Sequence, residues 1–238
     1  MKILRSKLFY ILCGVLVAAI ATGAVIYCTV VRPRQEQEEW MAKVQAYRDA
    51  KTAQYRQEND AYGDYEVDVA FLGDSLTDGY DLQKYYPQYL TVNRGIGGDT
   101  TFDLENRLDV SVYQLKPKVA VMLIGANNMD TMFDNYENIL MGLQENLPDT
   151  RIVLLSLTAM GGEHWGRKNQ LAAYNNVTIR LLAEKYGFTF IDLYTPLYDA
   201  SIREVYVGYT SDGGHLTAEG YAVVTAQITP VLEELLSE

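Results

Sequence analysis

The sequence predicts an α/β fold, a parallel sheet covered on both faces by helices, with an apolar helix ahead of it. Three observations predict it. Apolar runs recur at residues 67–72, 90–93, 119–124, 151–157 and 188–191 and read as strands. Helical patterns separate or follow them at 101–115, 134–147, 167–186 and 217–236, and such alternation means parallel strands joined by crossover helices. Before all of these, residues 8–31 form one uncharged, mostly apolar run.

That first run predicts a membrane anchor at 1–34. Twenty-four helical residues reach roughly 36 Å, enough to cross a hydrocarbon core of about 30 Å. A secretory signal peptide has a shorter apolar core and a cleavage site of small residues. Ala19-Ile20-Ala21 is a weak version of such a site, and the apolar run continues past it, so an uncleaved signal anchor is expected. Lys2, Arg5 and Lys7 precede the span and Arg32 and Arg34 follow it, a small bias toward an N-terminus inside and an extracytoplasmic C-terminal domain. Both cysteines, Cys13 and Cys28, lie in the span, so the rest of the chain can form no disulfide.

Residues 35–63 are polar, with Trp40, Val44 and Tyr47 at helical spacing and Tyr55 and Tyr62 further on. No Pro or Gly interrupts them before Gly63, which predicts either a helical stalk or an extra helix packed on the domain. The domain proper is expected at 64–238. It holds 11 Lys and Arg against 25 Asp and Glu, net −14, whereas residues 1–63 carry net +3. An acidic domain repels polyanions, so nucleic acid and phosphate-rich substrates are disfavoured and neutral esters fit better. No zinc spacing, phosphate loop or dinucleotide fingerprint is present, and no metal or cofactor is expected.

Two distant stretches complement each other chemically. Gly73-Asp74-Ser75-Leu76 follows the first predicted strand, which places Ser75 at the carboxyl end of the sheet, where such folds bind ligands. Asp212-Gly213-Gly214-His215 puts a carboxylate three residues before an imidazole, close enough in a turn for Asp212 to orient His215. A serine hydroxyl needs such a base to become a nucleophile. Each stretch alone is also an ordinary turn. Only two histidines exist, so His215 or His164 must supply the base. His164 sits in Met160-Gly161-Gly162-Glu163-His164-Trp165-Gly166, reads as an exposed loop histidine, and with Trp165 is expected at the rim of the cleft. Asp74 beside the nucleophile reads as a backbone cap.

Four blocks in order make the chain similar to the SGNH/GDSL hydrolase family: Gly73-Asp74-Ser75-Leu76, then Asn93-Arg94-Gly95-Ile96-Gly97-Gly98-Asp99-Thr100, then Gly125-Ala126-Asn127-Asn128, then Asp212 with His215. The resemblance spans residues 65–238. It implies a three-layer, flavodoxin-like sheet and a catalytic set of Ser75 as nucleophile, His215 as base and Asp212 as its orienter. It further implies an oxyanion hole made by the backbone N–H groups of Ser75 and Gly98 and the side-chain amide of Asn127. A residue without Cβ at position 98 lets the main chain approach substrate, and Asp99-Thr100-Thr101 reads as a helix start whose positive end favours the same charge. The third block departs from the family, which usually has Asp where Asn128 stands. The expected function is a membrane-anchored esterase cleaving short acyl, above all acetyl, esters of carbohydrate or another small molecule. An O-acyltransferase of the same fold acting on surface polysaccharide, and a silent glycan-binding module, are the alternatives.

Overall fold

The computed structural model describes residues 14–16 and 20–237. Lys2, Arg5, Lys7, Cys13 and Ala19 lie outside the described residues. The chain divides into two compact units, Met1–Ala50 and Lys51–Glu238.

The first unit is helical throughout its described residues. A widened turn at Tyr27–Val31 runs into helix α1, Arg32–Asn59, which continues into the second unit. Pro33 explains the widening: it cannot donate to the preceding turn and its ring crowds a carbonyl there, so Arg32 N–H donates back to Tyr27 O instead. Val15, Leu16, Ile20, Val25 and Ile26 are all exposed. Among the described residues one helix, Gly14–Asn59, is long and apolar enough to cross a membrane, a property shared by membrane anchors and signal sequences.

The second unit is built on five parallel strands: β1 Val69–Gly73, β2 Thr91–Gly95, β3 Val119–Leu123, β4 Arg151–Leu155 and β5 Thr189–Ile191. Their order is β2-β1-β3-β4-β5. Every residue of β1 and β3 is buried. Because successive side chains point to opposite faces, unbroken burial means that both faces are covered. The register pairs Gly73 with Gly95 and with Leu123, so the strands end level at their carboxyl edge. The direction of strand addition reverses around β1, and loops after β1 and β3 therefore open a crevice at that edge.

Helices α2 Ser75–Asp78 and α3 Leu82–Tyr85 follow β1, and α4 Thr101–Glu105 follows β2. After β3 comes α5, Tyr136–Asn146. α6 Gly162–Trp165 and α7 Asn169–Tyr186 follow β4. Past β5 lie α8 Tyr194–Leu197, the short antiparallel pair β6 Tyr198–Asp199 and β7 Glu204–Val205, and α9 Ala218–Ser237. α2 sits tight on the sheet: a Cβ at Gly95 would lie 2.2 Å from the Asp78 backbone nitrogen, which excludes any larger residue there.

The helix expected over 101–115 is broken. It stops at Glu105, and Asp109–Tyr113 forms a separate wide turn. Between them Arg107 turns inward, donating to Asp99 Oδ2 at 2.7 Å and to the carbonyls of Arg94 and Gly73, both at 2.9 Å. Four charge-assisted bonds, counting that to Ser111 Oγ, outweigh continuation of a surface helix.

Candidate active site

Ser75 opens α2 directly after β1. Asp74 is the N-cap, its Oδ1 accepting from Leu76 N–H at 3.1 Å, and Tyr221 of α9 donates to Leu76 O at 2.8 Å, so the turn is held from both sides. The Asp74 carboxyl is buried, and its Oδ2 has no hydrogen-bond partner among the described residues. Burial pushes it up to about 7, with Asp99 adding in the same direction against the Leu76 N–H. It is a cap here, beside Ser75.

His215 approaches from the loop before α9. Its Nε2 lies 3.1 Å from Ser75 Oγ and its Nδ1 2.8 Å from Asp212 Oδ2. The other carboxylate oxygen of Asp212 accepts from the backbone N–H groups of His215 and Gly214 at 2.7 and 2.9 Å. Burial would raise the Asp212 carboxyl, but these bonds and the imidazole hold it well below the usual carboxylate range. Asp212 thus stays ionised and fixes the ring by both backbone and side chain. The loop is closed by Ser211 N–H donating to His215 O at 2.9 Å.

The glycine block reaches the same edge. Gly98 adopts φ 83°, a left-handed conformation disfavoured for residues with a Cβ, in a turn closed by Asp99 N–H on Ile96 O. Thr100 then caps α4 in a reciprocal box with Asp103. α4 is only five residues long, so it offers little of the helix dipole that the sequence suggested at this point. Asn127 donates from Nδ2 to Asp99 O at 2.9 Å, which uses one of its two amide protons. Asn128 turns to Thr101, accepting from its N–H at 3.2 Å and donating to its hydroxyl at 2.9 Å.

A small pocket joins these pieces. Ser75, Asn127 and His215 line it together with Leu76, Ala126, Met160 and Trp165, and its space of ≈ 10 Å³ takes about one water-sized group. The Trp165 indole stands edge-on to the His215 ring, centroids 6.0 Å apart. It lies where a side chain at 214 would be, since a Cβ on Gly214 would meet it at 2.6 Å. Of the two residues expected at the rim, Trp165 is in the pocket wall, whereas His164 is exposed beside Glu163 and Arg167 on a separate open surface. Leu76 and Ala126 belong to the first and third blocks without a chemical signature of their own, and Met160 lies outside all four. The fourfold grip of Arg107 behind the site likewise has no local signal.

The comparisons with known proteins agree with this geometry at the level of family. No curated protein matches the chain. Among solved structures it is similar to a Streptococcus pneumonia protein provisionally assigned as a platelet activating factor, at 24% identity and TM-score 0.73 over 86% of this chain and 100% of that one. A GDSL-like lipase from Bacteroides thetaiotaomicron matches at 25% identity and TM-score 0.68, covering 77% and 97%. An acetylxylan esterase from Geobacillus stearothermophilus matches at 20% and 0.58, covering 71% and 95%. The profile of the GDSL-like Lipase/Acylhydrolase family matches residues 71–223, more than half the sequence, and the chain belongs to that family.

Proposed function

We propose that this protein is a membrane-anchored serine esterase that removes acetyl or similarly short acyl groups from carbohydrate or other small esters. The observation that carries the reading is the array Ser75, His215, Asp212, with contacts of 3.1 and 2.8 Å, opening on a pocket for one small group. With Nδ1–H donated to Asp212, Nε2 is free to accept the Ser75 proton as Oγ attacks the ester carbonyl carbon. The negative charge formed on the carbonyl oxygen faces the N–H groups of Ser75 and Gly98 and the free amide proton of Asn127. Collapse expels the alcohol, which takes the proton from His215 and leaves an acyl-Ser75 ester. Water, deprotonated by the same ring, then releases the acid.

The pocket beside Ser75 supports the acyl size. Met160 and Trp165 stand beside Ser75 in the wall of this narrow pocket, which favours a short acyl group there. The acetylxylan esterase among the structural neighbours supports an acetylated carbohydrate as the class of substrate. The exposed apolar surface of the N-terminal helix supports the anchor, and the basic residues before it support an extracytoplasmic catalytic domain.

The test is a chromogenic ester series from acetyl to octanoyl on the full chain, with and without a glycan acceptor. Acetyl should be preferred, Ser75→Ala should abolish turnover, and Trp165→Ala should move the optimum to longer chains. Transfer of the acyl group to the glycan in place of water would assign the acyltransferase activity instead. Absence of turnover on every ester would contradict the reading. Retention in the membrane fraction after an alkaline wash is the expected behaviour of the full chain, and recovery of a cleaved, soluble form would contradict the anchor.

A further inference from the structure

We propose that Lys51 is a positioning residue for the catalytic site, acting through Asp78 on the loop that carries Gly98. This rests on the esterase reading above. Asp78 is the last residue of α2, the helix that Ser75 opens. Its Oδ2 accepts from Gly97 N–H at 3.0 Å, so one carboxylate ties the nucleophile's helix to the glycine loop. The tie is close to the reacting atoms: a Cβ built on Gly97 would lie 3.9 Å from the Ser75 Cβ. Gly98, the backbone oxyanion donor in the esterase reading, is the next residue.

The other carboxylate oxygen, Asp78 Oδ1, is held by Lys51 Nζ at 2.7 Å. The two side chains are only 25% and 15% exposed, so solvent screens this pair less than a surface one. Lys51 does two things there. It holds the carboxylate in the orientation that faces Gly97, and it neutralises a negative charge that would otherwise oppose the oxyanion formed beside it. The same end of α1 fastens the strand leading into this loop, with Tyr55 donating to Gly95 O at 2.7 Å and Asn59 accepting from Arg94 at 3.0 Å. Lys51 extends that grip from β2 to the loop.

The experiment uses the full chain in detergent with an acetyl ester, and compares Lys51→Met, Lys51→Arg, Asp78→Asn and the double variant Lys51→Met/Asp78→Asn. Lys51→Met should lower kcat about fivefold with little change in KM or melting temperature. Lys51→Arg should restore most of the loss. In the Asp78→Asn background, where an acceptor for Gly97 remains but the charge is gone, Lys51→Met should have almost no effect. A readout independent of turnover is amide hydrogen exchange at Gly97, which should quicken severalfold in Lys51→Met. Wild-type kcat in Lys51→Met, an undiminished loss when Lys51→Met is added to Asp78→Asn, or no restoration by Arg would overturn the proposal, as would unchanged exchange at Gly97. If the wild-type chain hydrolyses no ester while Gly97 exchange still responds to Lys51, the esterase reading falls and the positioning link stands.

Discussion

Asn127 lines the pocket beside Ser75, whereas Asn128 points away to both polar atoms of Thr101. Asn127→Ala should therefore lower kcat by roughly 10² to 10³ with little change in KM, the loss typical of one missing oxyanion donor. Asn128→Asp keeps an acceptor for Thr101 N–H and should leave the rate nearly unchanged. Steady-state kinetics on the two variants checks this, and the reverse pattern would show that the wrong asparagine faces substrate. Asp74 makes a separate prediction about stability. Burial pushes its carboxyl up to about 7 from an ordinary 3.8, so the folded chain keeps a proton that the unfolded chain has lost. Stability from this group falls as pH rises between these values and levels off above the higher one. Asp212 has the opposite sign: its lowered pKa stabilises the fold above the ordinary value, and that contribution is lost as pH falls through the folded pKa. Asp74→Asn keeps the cap without the charge. The cost removed at pH 8 is about 4 kcal/mol, against about 1–3 kcal/mol for the unpaired amide it introduces. Melting curves should show the variant more stable than wild type at pH 8, with no gain at pH 5.

At the scale of elements, the last turns of α1 matter most beyond the sheet. Lys51 begins the second compact unit, and Tyr55 is buried against Ile96 and Val110, with the Arg94 guanidinium 4.6 Å from its ring centroid. Arg94 is itself fully buried, paired with Glu58 and Asn59. Tyr55→Ala should cost about 3–5 kcal/mol, as truncations of large buried aromatics do. A chain starting at residue 64 should melt well below one starting at 48. Equal melting temperatures would show that α1 contributes nothing to the fold. Sequence reading reached the helix, through the unbroken stretch of 35–62, but not this partition. Trp40 and Tyr47 share the aromatic stripe with Tyr55 yet are exposed, because burial depends on what lies opposite and not on spacing. The break in the helix after β2 was hidden for the same reason, since Arg107 on a surface pattern gives no hint of four buried partners. β6 and β7, two residues each, are too short to carry an alternation.

For the whole molecule, β1, β3 and β4 were legible because buried parallel strands read as apolar runs, while β2 carries Asn93 and Arg94 and β5 is three residues long. Their order, with its reversal around β1, was not, because strand-helix alternation fixes direction and leaves neighbours open. The candidate site was legible through the resemblance of four ordered blocks to the SGNH/GDSL family, the first three following β1, β2 and β3 and the fourth lying in the loop before α9. What the chemistry does not dictate, Met160 in the pocket wall and the grip of Lys51, emerged only in three dimensions, whereas Trp165 was already expected beside the cleft. The whole mechanism depends on Ser75 carrying the acyl group between alcohol and water. Rapid acid quench of the full chain during turnover of an acetyl ester, followed by mass analysis of the peptide containing Ser75, reads that step itself. One acetyl group on Ser75 in wild type, absent when His215 is replaced by Ala, is the result predicted. Steady ester cleavage with Ser75 never acylated would contradict it.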